Sequence, residues 1–404
     1  MEKTFMPEFA NAFQCAGPAC EYSCCQEWII TIDKKTYNKY RAAKDPWLKA
    51  RVSQGLKRTP GGDSQQYASV MLDKETGLCP FLDEQSLCAW QKKLGEEYLS
   101  LTCRQYPRTA YKFDDRFEYT LKPSCPEVAR IGMLPDKPLS FIMAETDPSV
   151  SYRPIAHYDP RYFRMIRDFV IDILQDRSFY FEYRLILLGL FLQKATQSTY
   201  KTINGVIAEY RTLFKDKSII DQFASLPEIP TLQFAVWEKL NQLLDHRISS
   251  KSYVALIKDT FHGLGVHTEV QKADTFYKNY FDALMKYEKT FTAWEHVFEN
   301  YFVNDVFMHP YDLIGYNAKE QKLESSIIWD YYIYLCVSYR ILKLHFVGIH
   351  SLKGSLSNDD AVSIISKYDR AVFGHFKELI TEITNWLKEK DASTLAYMAV
   401  LVRT

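Results

Sequence analysis

From Pro160 onward the apolar side chains recur at helical spacing: Phe163, Ile166, Phe169, Val170, Ile173 and Leu174 fall on one stripe of a helix. Similar stripes run through "FEYRLILLGLFLQKA", "INGVIAEYRTLF", "LQFAVWEKLNQLL", "ADTFYKNYFDALMKY", "AWEHVFENYFVNDVF", "IIWDYYIYLCVSYRILKLHF" and "DDAVSIISKYDRAVFGHFKELITEITNWL". Breaks such as "DKS", "PEIP", "HGLG" and "MHPYD" separate them, and "SNDDA" offers an N-cap before the last long helix. The pattern predicts an all-α region of eight or more helices over 160–404. No stretch repeats at a fixed period, so nothing supports a solenoid.

The first part of the chain reads differently. Up to about residue 135 it is punctuated by "AGPA", "RTPGGDS", "ETGLCP", "YPRTA" and "KPSCP", which limit any element to a short run. Little continuous core can form there, and a metal that staples distant loops would add stability. Residues 136–159, in a stretch with five prolines from Pro135 to Pro160, read as an extended linker. The expected fold class is therefore mainly α: a Cys-rich, metal-binding or cluster-binding region (1–135) of short irregular elements, packed on a multi-helix C-terminal bundle.

Composition narrows the possibilities. The 404 residues carry 50 Lys plus Arg against 50 Asp plus Glu, so no basic excess argues for nucleic acid or an anionic membrane. No segment reads as a run of about 18 uncharged apolar residues, and "MEKTFMPEFANAFQ" lacks the order of a signal peptide. The expectation is a cytoplasmic protein without membrane or nucleic-acid partners; the oligomeric state is open.

A reducing compartment makes the cysteines informative, because it disfavours structural disulfides and leaves metal or redox chemistry as the reason for clustering. Eight of the nine, Cys15, Cys20, Cys24, Cys25, Cys79, Cys88, Cys103 and Cys125, lie in the first 125 residues, while Cys336 reads as a buried small hydrophobe. Eight thiols can supply two four-thiolate sites, or one site with spare ligands. The set suits zinc and iron-sulfur chemistry alike. Neighbours in sequence point different ways, so Cys24 and Cys25 are not expected to serve one centre in the same manner. Arg104, beside Cys103, can offset the charge of a thiolate cluster or be an ordinary surface arginine.

Together, "CAGPACEYSCCQEWIITIDKKTYNKY", "CPFLDEQSLCAWQKKLGEEYLSLTCRQYPR" and "LKPSCPEVARIG" resemble the cysteine-rich region of the flagellin lysine-N-methylase family. "FENYFVNDVFMHPYD" resembles that family's Asn-Tyr-x-x-Asn segment, with "YYIYLCVSYRILKLHF" and "IISKYDRAVFGHF" where its last helices lie. The first part also resembles a broader iron- or zinc-chelating family with a Cys-Cys doublet, "CPFL" and a "CRxxP" element. The resemblance implies S-adenosylmethionine-dependent methylation of flagellin lysines by a protein that carries a [4Fe-4S] cluster. It carries the cluster ligands onto the eight N-terminal cysteines without choosing four. Cys20, Cys24 or Cys25, Cys79, Cys88 and Cys103 rank ahead of Cys15 and Cys125.

The chemistry sets its own demands. With a pKa near 10.4, only on the order of one lysine in a few thousand is unprotonated at neutral pH, so a base or a desolvating aromatic pocket is needed. The 28 tyrosines and 25 phenylalanines can build one, but none stands out. There is no G-x-G-x-x-G after a strand; Gly263 and Gly265 in "HGLGVH" read as a turn. The Cys-x3-Cys-x2-Cys triad of the radical S-adenosylmethionine superfamily is missing too, since Cys20-x3-Cys24 is followed at once by Cys25. Three thiolates would leave one iron open to chelate the donor, and four would make the cluster structural. Outside the cysteines, Asn300 and Asn304 are the first candidates for donor contacts, because a spacing of four puts both amides on one helix face. Bracing inside the bundle is their alternative role, and His309 and His375 are weaker candidates. A zinc-stabilised helical interaction protein and a redox iron-sulfur protein remain as competing readings.

Overall fold

The computed structural model describes residues 3–403, apart from 147–149, 156–159, 227–228, 267–272, 292, 318–321, 374–375 and, within 230–249, all but 232, 234, 235, 238, 239 and 242. The protein is mainly helical, as expected. Helices Pro160–Leu174, Phe181–Ala195, Ile203–Leu213, Lys251–Gly263, Ala273–Phe291, Glu295–Met308, Ser325–Lys353, Asn358–Phe373, Phe376–Glu389 and Leu395–Val402 make up the body. The stripe that predicted the first of them is buried throughout, with Val170 and Leu174 fully so. The "LQFAVWEKLNQLL" helix falls mostly outside the described residues.

Ser325–Lys353 is the central element, packed by the Phe181–Ala195, Lys251–Gly263, Ala273–Phe291, Asn358–Phe373, Phe376–Glu389 and Leu395–Val402 helices. Among the described residues it is also the one helix long and apolar enough to cross a membrane, contrary to the sequence reading. Its apolar window is wholly buried in the protein, so the composition follows from its place in the core. The Lys251–Gly263 helix packs so close to it that a methyl group on Gly263 would stand 1.9 Å from the Gly348 carbonyl oxygen. Gly263 thus ends a helix at a backbone contact; the turn belongs to Gly265, whose φ of +67° is left-handed. At the expected N-cap in "SNDDA", Ser357 and Asp360 bond reciprocally, the Ser357 amide to the carboxylate at 3.0 Å and the Asp360 amide to the hydroxyl at 3.2 Å.

The N-terminal part divides in a way the sequence reading did not anticipate. Strands β1 (Lys3–Pro7), β5 (Arg108–Lys112), β6 (Phe117–Leu121), β7 (Phe141–Glu145) and β8 (Arg153–Pro154) form one sheet in the order β7-β1-β6-β5-β8. β1 runs antiparallel to β7, with Thr4 opposite Ala144, and parallel to β6, with Thr4 opposite Phe117. The expected linker therefore supplies two strands of this sheet. Its inner side chains, Met6, Tyr111 and Leu121 among them, join the same core as the helices. A buried bidentate pair rivets the layers: Arg167 Nη1 and Nη2 donate to Glu118 Oε2 and Oε1 at 2.6 and 2.8 Å.

Between these strands lies a satellite with a core of its own: Ile30, Ile32, Tyr40, Leu48, Val52, Ala68, Val70, Cys79, Phe81, Ala89 and Trp90. It holds a small sheet of β2 (Thr31–Ile32), β3 (Leu56–Arg58) and β4 (Ala68–Val70), the short Ala89–Leu94 helix, and two longer helices, Lys34–Arg41 and Pro46–Gly55. Asp33 and Asp45 cap those helices by accepting the Thr36 and Leu48 amides at 2.8 and 2.9 Å. Tyr40 stacks on Trp90 at 3.7 Å between centroids. So small a core needs outside support, and its rim is where the cysteines gather.

Candidate functional site

Local backbone motifs bring the cysteines together. The doublet loop pairs with the segment before Cys79: the Glu27 amide donates to the Gly77 carbonyl at 3.0 Å, and the Cys79 amide to the Cys25 carbonyl at 2.8 Å. From Cys79 the chain folds back through a bridge between Leu82 and Cys88, with Asp83 accepting the Gln85 and Leu87 amides at 2.9 and 3.0 Å. Ser100 caps the Leu101–Gln105 helix through the Cys103 amide at 3.1 Å. Cys25, Cys79, Cys88 and Cys103 consequently all pack on the satellite core. Cys125 begins the Pro126–Val128 helix and packs on the main core.

Cys24 is the hub. Cys20, Cys79, Cys88, Cys103 and Cys125 all interact electrostatically with it, and Cys20 also with Cys15. Its own sulfur stands 4.0 Å from that of Cys25. A hydrogen bond from Cys25, helped by the charge of Arg370, lowers the Cys24 pKa, and the same bond together with burial raises that of Cys25. Burial pushes Cys79, Cys103 and Cys125 up to about 12 and raises Cys20 and Cys88. Thiols so placed become thiolates only when positive charge compensates them. All nine cysteines are free, Cys336 fully buried in the Ser325–Lys353 helix.

Among the described residues, no three His, Cys, Asp or Glu side chains close on one point as ligands to a single ion. Thiolates on a four-iron cluster bind separate irons and stand farther apart than those around one zinc. The donor set is thiol-only, which suits zinc and iron-sulfur chemistry alike.

A buried cation reaches into this basin from the helical body. Arg370 Nη1 donates to the Ser23 and Gln26 carbonyls at 2.7 and 3.4 Å. Its Nη2 donates to the Tyr22 and Ser124 carbonyls at 3.4 and 3.0 Å and to the Tyr106 hydroxyl at 3.3 Å. The guanidinium also lies 3.8 Å from the Tyr22 ring centroid. Asp369, next to it, accepts the Ser124 amide at 2.8 Å and the Tyr301 hydroxyl at 3.0 Å, so two adjacent residues hold both sides of Ser124. Burial pushes the Asp369 carboxyl up to about 6.

The residues singled out from the sequence lie variously around this centre. Arg104 spends Nη2 on the Leu99 carbonyl at 3.2 Å, within its own loop. Asn304, with no exposed surface, accepts the Thr120 hydroxyl at 2.6 Å and donates to the Leu121 carbonyl at 3.1 Å, bracing β6. Asn300 donates to the Met133 and Pro135 carbonyls at 3.2 and 2.8 Å, and its Oδ1 is buried without a partner. Asn304 thus faces β6, and Asn300 the end of the Ala129–Met133 helical turn and the loop after it. His309 Nδ1 lies 3.2 Å from the buried Asp305 carboxylate, which lifts its pKa against the opposing effect of burial. Tyr331 donates to that carboxylate at 2.6 Å. His375 lies outside the described residues.

Sequence reasoning missed Tyr22, Glu27, Asp369 and Arg370. One signal was available: in "AVSIISKYDRAVF" the adjacent charges Asp369 and Arg370 continue the buried face set by Ala361, Val362, Ile364, Ile365 and Tyr368.

Residues 167–401 match the family model described as the FliB lysine N-methylase C-terminal domain. Three curated relatives are each 37% identical over 131 residues, 32% of this chain: the flagellar biosynthetic protein FliU of Salmonella muenchen, and the lysine-N-methylases of Salmonella typhimurium and Salmonella choleraesuis. The match covers 77% of FliU but 32% of either lysine-N-methylase, about a third of their length. No solved structure matches.

Proposed function

The chain belongs to the FliB lysine N-methylase family, and from that premise we propose that it is a protein-lysine N-methyltransferase. It takes the methyl group from S-adenosylmethionine, acts on lysines of flagellin and holds a [4Fe-4S] cluster in its cysteine basin. The relatives' names support the lysine chemistry. One observation of the site carries the cofactor: Cys25, Cys79, Cys88 and Cys103 pack on one small core beside Cys24, and Arg370, which holds the carbonyls flanking that doublet, has only neutral carbonyl and hydroxyl partners among the described residues. An anionic thiolate cluster supplies the missing opposite charge.

Cys25, Cys79, Cys88 and Cys103, seated on one small core, are the leading ligands, with Cys24 beside them. When bound, the cluster supplies a cross-link between loops far apart in sequence and, if only three thiolates hold it, an iron that can chelate the amino and carboxylate groups of the donor. In the transfer the lysine ammonium first loses a proton. The nitrogen lone pair then forms the new N–C bond while the S–CH3 bond breaks and its electron pair returns to sulfur, which needs no oxidant or reductant. Asp369, whose carboxyl burial pushes up to about 6 and which holds the Ser124 amide next to Cys125, is the group beside the basin suited to take that proton.

Anaerobic purification tests the cofactor. Brown protein with iron and sulfide in equal amounts supports the reading; colourless protein with one equivalent of zinc defeats it. Transfer of label from methyl-labelled donor to flagellin tests the reaction, and flagellin left unlabelled by cluster-loaded protein defeats that part.

A further inference from the structure

We propose that Arg370 is the positioning residue of the cysteine basin, a cationic clamp from the helical body that balances the charge of the thiolate set and fixes the separate ligand-bearing segments against one another. The inference rests on the cluster reading above and adds a residue to it.

Its bonds carry the geometry. The guanidinium holds the carbonyls of Tyr22, Ser23 and Gln26, which flank the Cys24–Cys25 doublet on both sides. It also holds the carbonyl of Ser124, immediately before Cys125, and the hydroxyl of Tyr106, three residues after Cys103. One planar group with a rigid fork of donors thereby fixes three segments that are up to about a hundred residues apart. Tyr106 extends the clamp, since its ring lies 5.3 Å from that of Trp28, whose indole donates to the Cys24 carbonyl at 2.6 Å.

Its charge carries the electrostatics. Arg370 is 5% exposed and its Nε has no partner. A buried guanidinium without a carboxylate is costly unless an anion stands nearby, and the carbonyls it holds flank the cysteine doublet. A lysine at this place would keep the charge, but its single ammonium cannot span acceptors on three segments. Charge and clamp are therefore separable by substitution.

The test compares full-length wild type, Arg370→Gln and Arg370→Lys after anaerobic purification. Iron and sulfide are counted, the midpoint potential of the cluster is measured, and loss of its visible absorption is followed after addition of a ferrous-iron chelator. Arg370→Gln is expected to lose the cluster at least tenfold faster than wild type and to shift the potential negative, because a cation beside the cluster is gone. Arg370→Lys is expected to keep the wild-type potential while still losing the cluster faster. Equal loss rates and potentials in wild type and Arg370→Gln overturn the proposal. Should Arg370→Gln fail to fold by circular dichroism, an Arg370→Lys protein with the wild-type loss rate overturns it alone. Wild type without iron and sulfide overturns the cofactor reading, and the charge balance with it, a result distinct from either variant outcome.

Discussion

Glu27, two residues past the cysteine doublet, accepts the hydroxyl of Ser250, the N-cap of the Lys251–Gly263 helix, at 2.9 Å. The same carboxylate takes the Tyr22 hydroxyl at 2.8 Å, the Ser252 amide at 3.2 Å and the Ser252 hydroxyl. A carboxylate at a helix N-terminus meets unpaired amides and the positive end of the helix dipole. This docking offsets the left-handed backbone of Glu27, whose φ is +60°. The doublet loop is thus anchored to the helical body twice, here and at Arg370. Glu27→Gln should cost about 1–3 kcal/mol in urea unfolding, with Ser252→Ala costing about half as much. An unchanged midpoint in both would show that the loop is held elsewhere.

The Arg167–Glu118 pair is buried on both sides, at 0% and 1% side-chain exposure. Arg116, on the rim, donates a further bond to Glu118 Oε1 at 2.7 Å. Arg116 leaves Glu118 one remaining cationic partner, and loss of the two buried Arg167 bonds should destabilise Arg167→Met by about 1–3 kcal/mol. The double variant Arg167→Met, Glu118→Leu should recover part of that loss, because the fully buried charges are gone and only Arg116, 20% exposed, is left to solvent. A double variant as unstable as the single one would mean that shape at this junction matters more than charge.

His345 offers a pH test away from the cysteines. The Thr260 hydroxyl donates to the Leu256 carbonyl at 2.8 Å, so it accepts from His345 Nδ1–H at 2.8 Å, leaving Nε2 to accept from the Tyr253 hydroxyl at 3.0 Å. Both rings' polar atoms are satisfied with the imidazole neutral, and burial lowers its pKa to about 3. Between about pH 6.5 and 3 the unfolded chain binds a proton that the folded chain does not. Stability from this group is complete above pH 6.5 and falls on acidification, by on the order of 5 kcal/mol at the bottom of the window. His345→Gln should flatten that part of the stability-pH curve relative to wild type. Parallel curves for the two proteins would contradict the neutral assignment.

Asn304 separates bracing from binding. Its two bonds to β6 imply that Asn304→Ala destabilises the protein by about 1–3 kcal/mol, while the folded fraction binds the methyl donor with wild-type affinity. A variant of normal stability that binds the donor tenfold more weakly would return Asn304 to the role its spacing first suggested.

How far these features could be read in advance depends on their range. The stripe from Phe163 to Leu174 predicted its helix because helical burial is periodic within a few residues. The sheet escaped because its strands are short and pair across the chain, β1 with β7 some 140 residues later, and no local pattern encodes such partners. For the same reason the boundary near residue 135 misses the actual division, in which β1 and β5 to β8 share the helical core and the satellite stands between them. At the site, the thiols were legible because cysteine clustering is rare. Arg370 and Glu27 were not, since their meaning lies in carbonyls and a helix terminus far away in sequence. The long apolar "YYIYLCVSYRILKLHF" was read as helix, but its position as the centre of the body follows only from the packing around it.

The central claim is lysine methylation, and its most direct measurement is peptide mass mapping of flagellin after incubation with S-adenosylmethionine and the anaerobically purified, cluster-loaded protein. Mass increments of whole methyl groups confined to lysines are expected, present with wild type and lost when Cys24 and Cys25 are replaced by serine. Flagellin without any lysine increment, under both reducing and oxidising conditions and with the cluster shown to be intact, would contradict it.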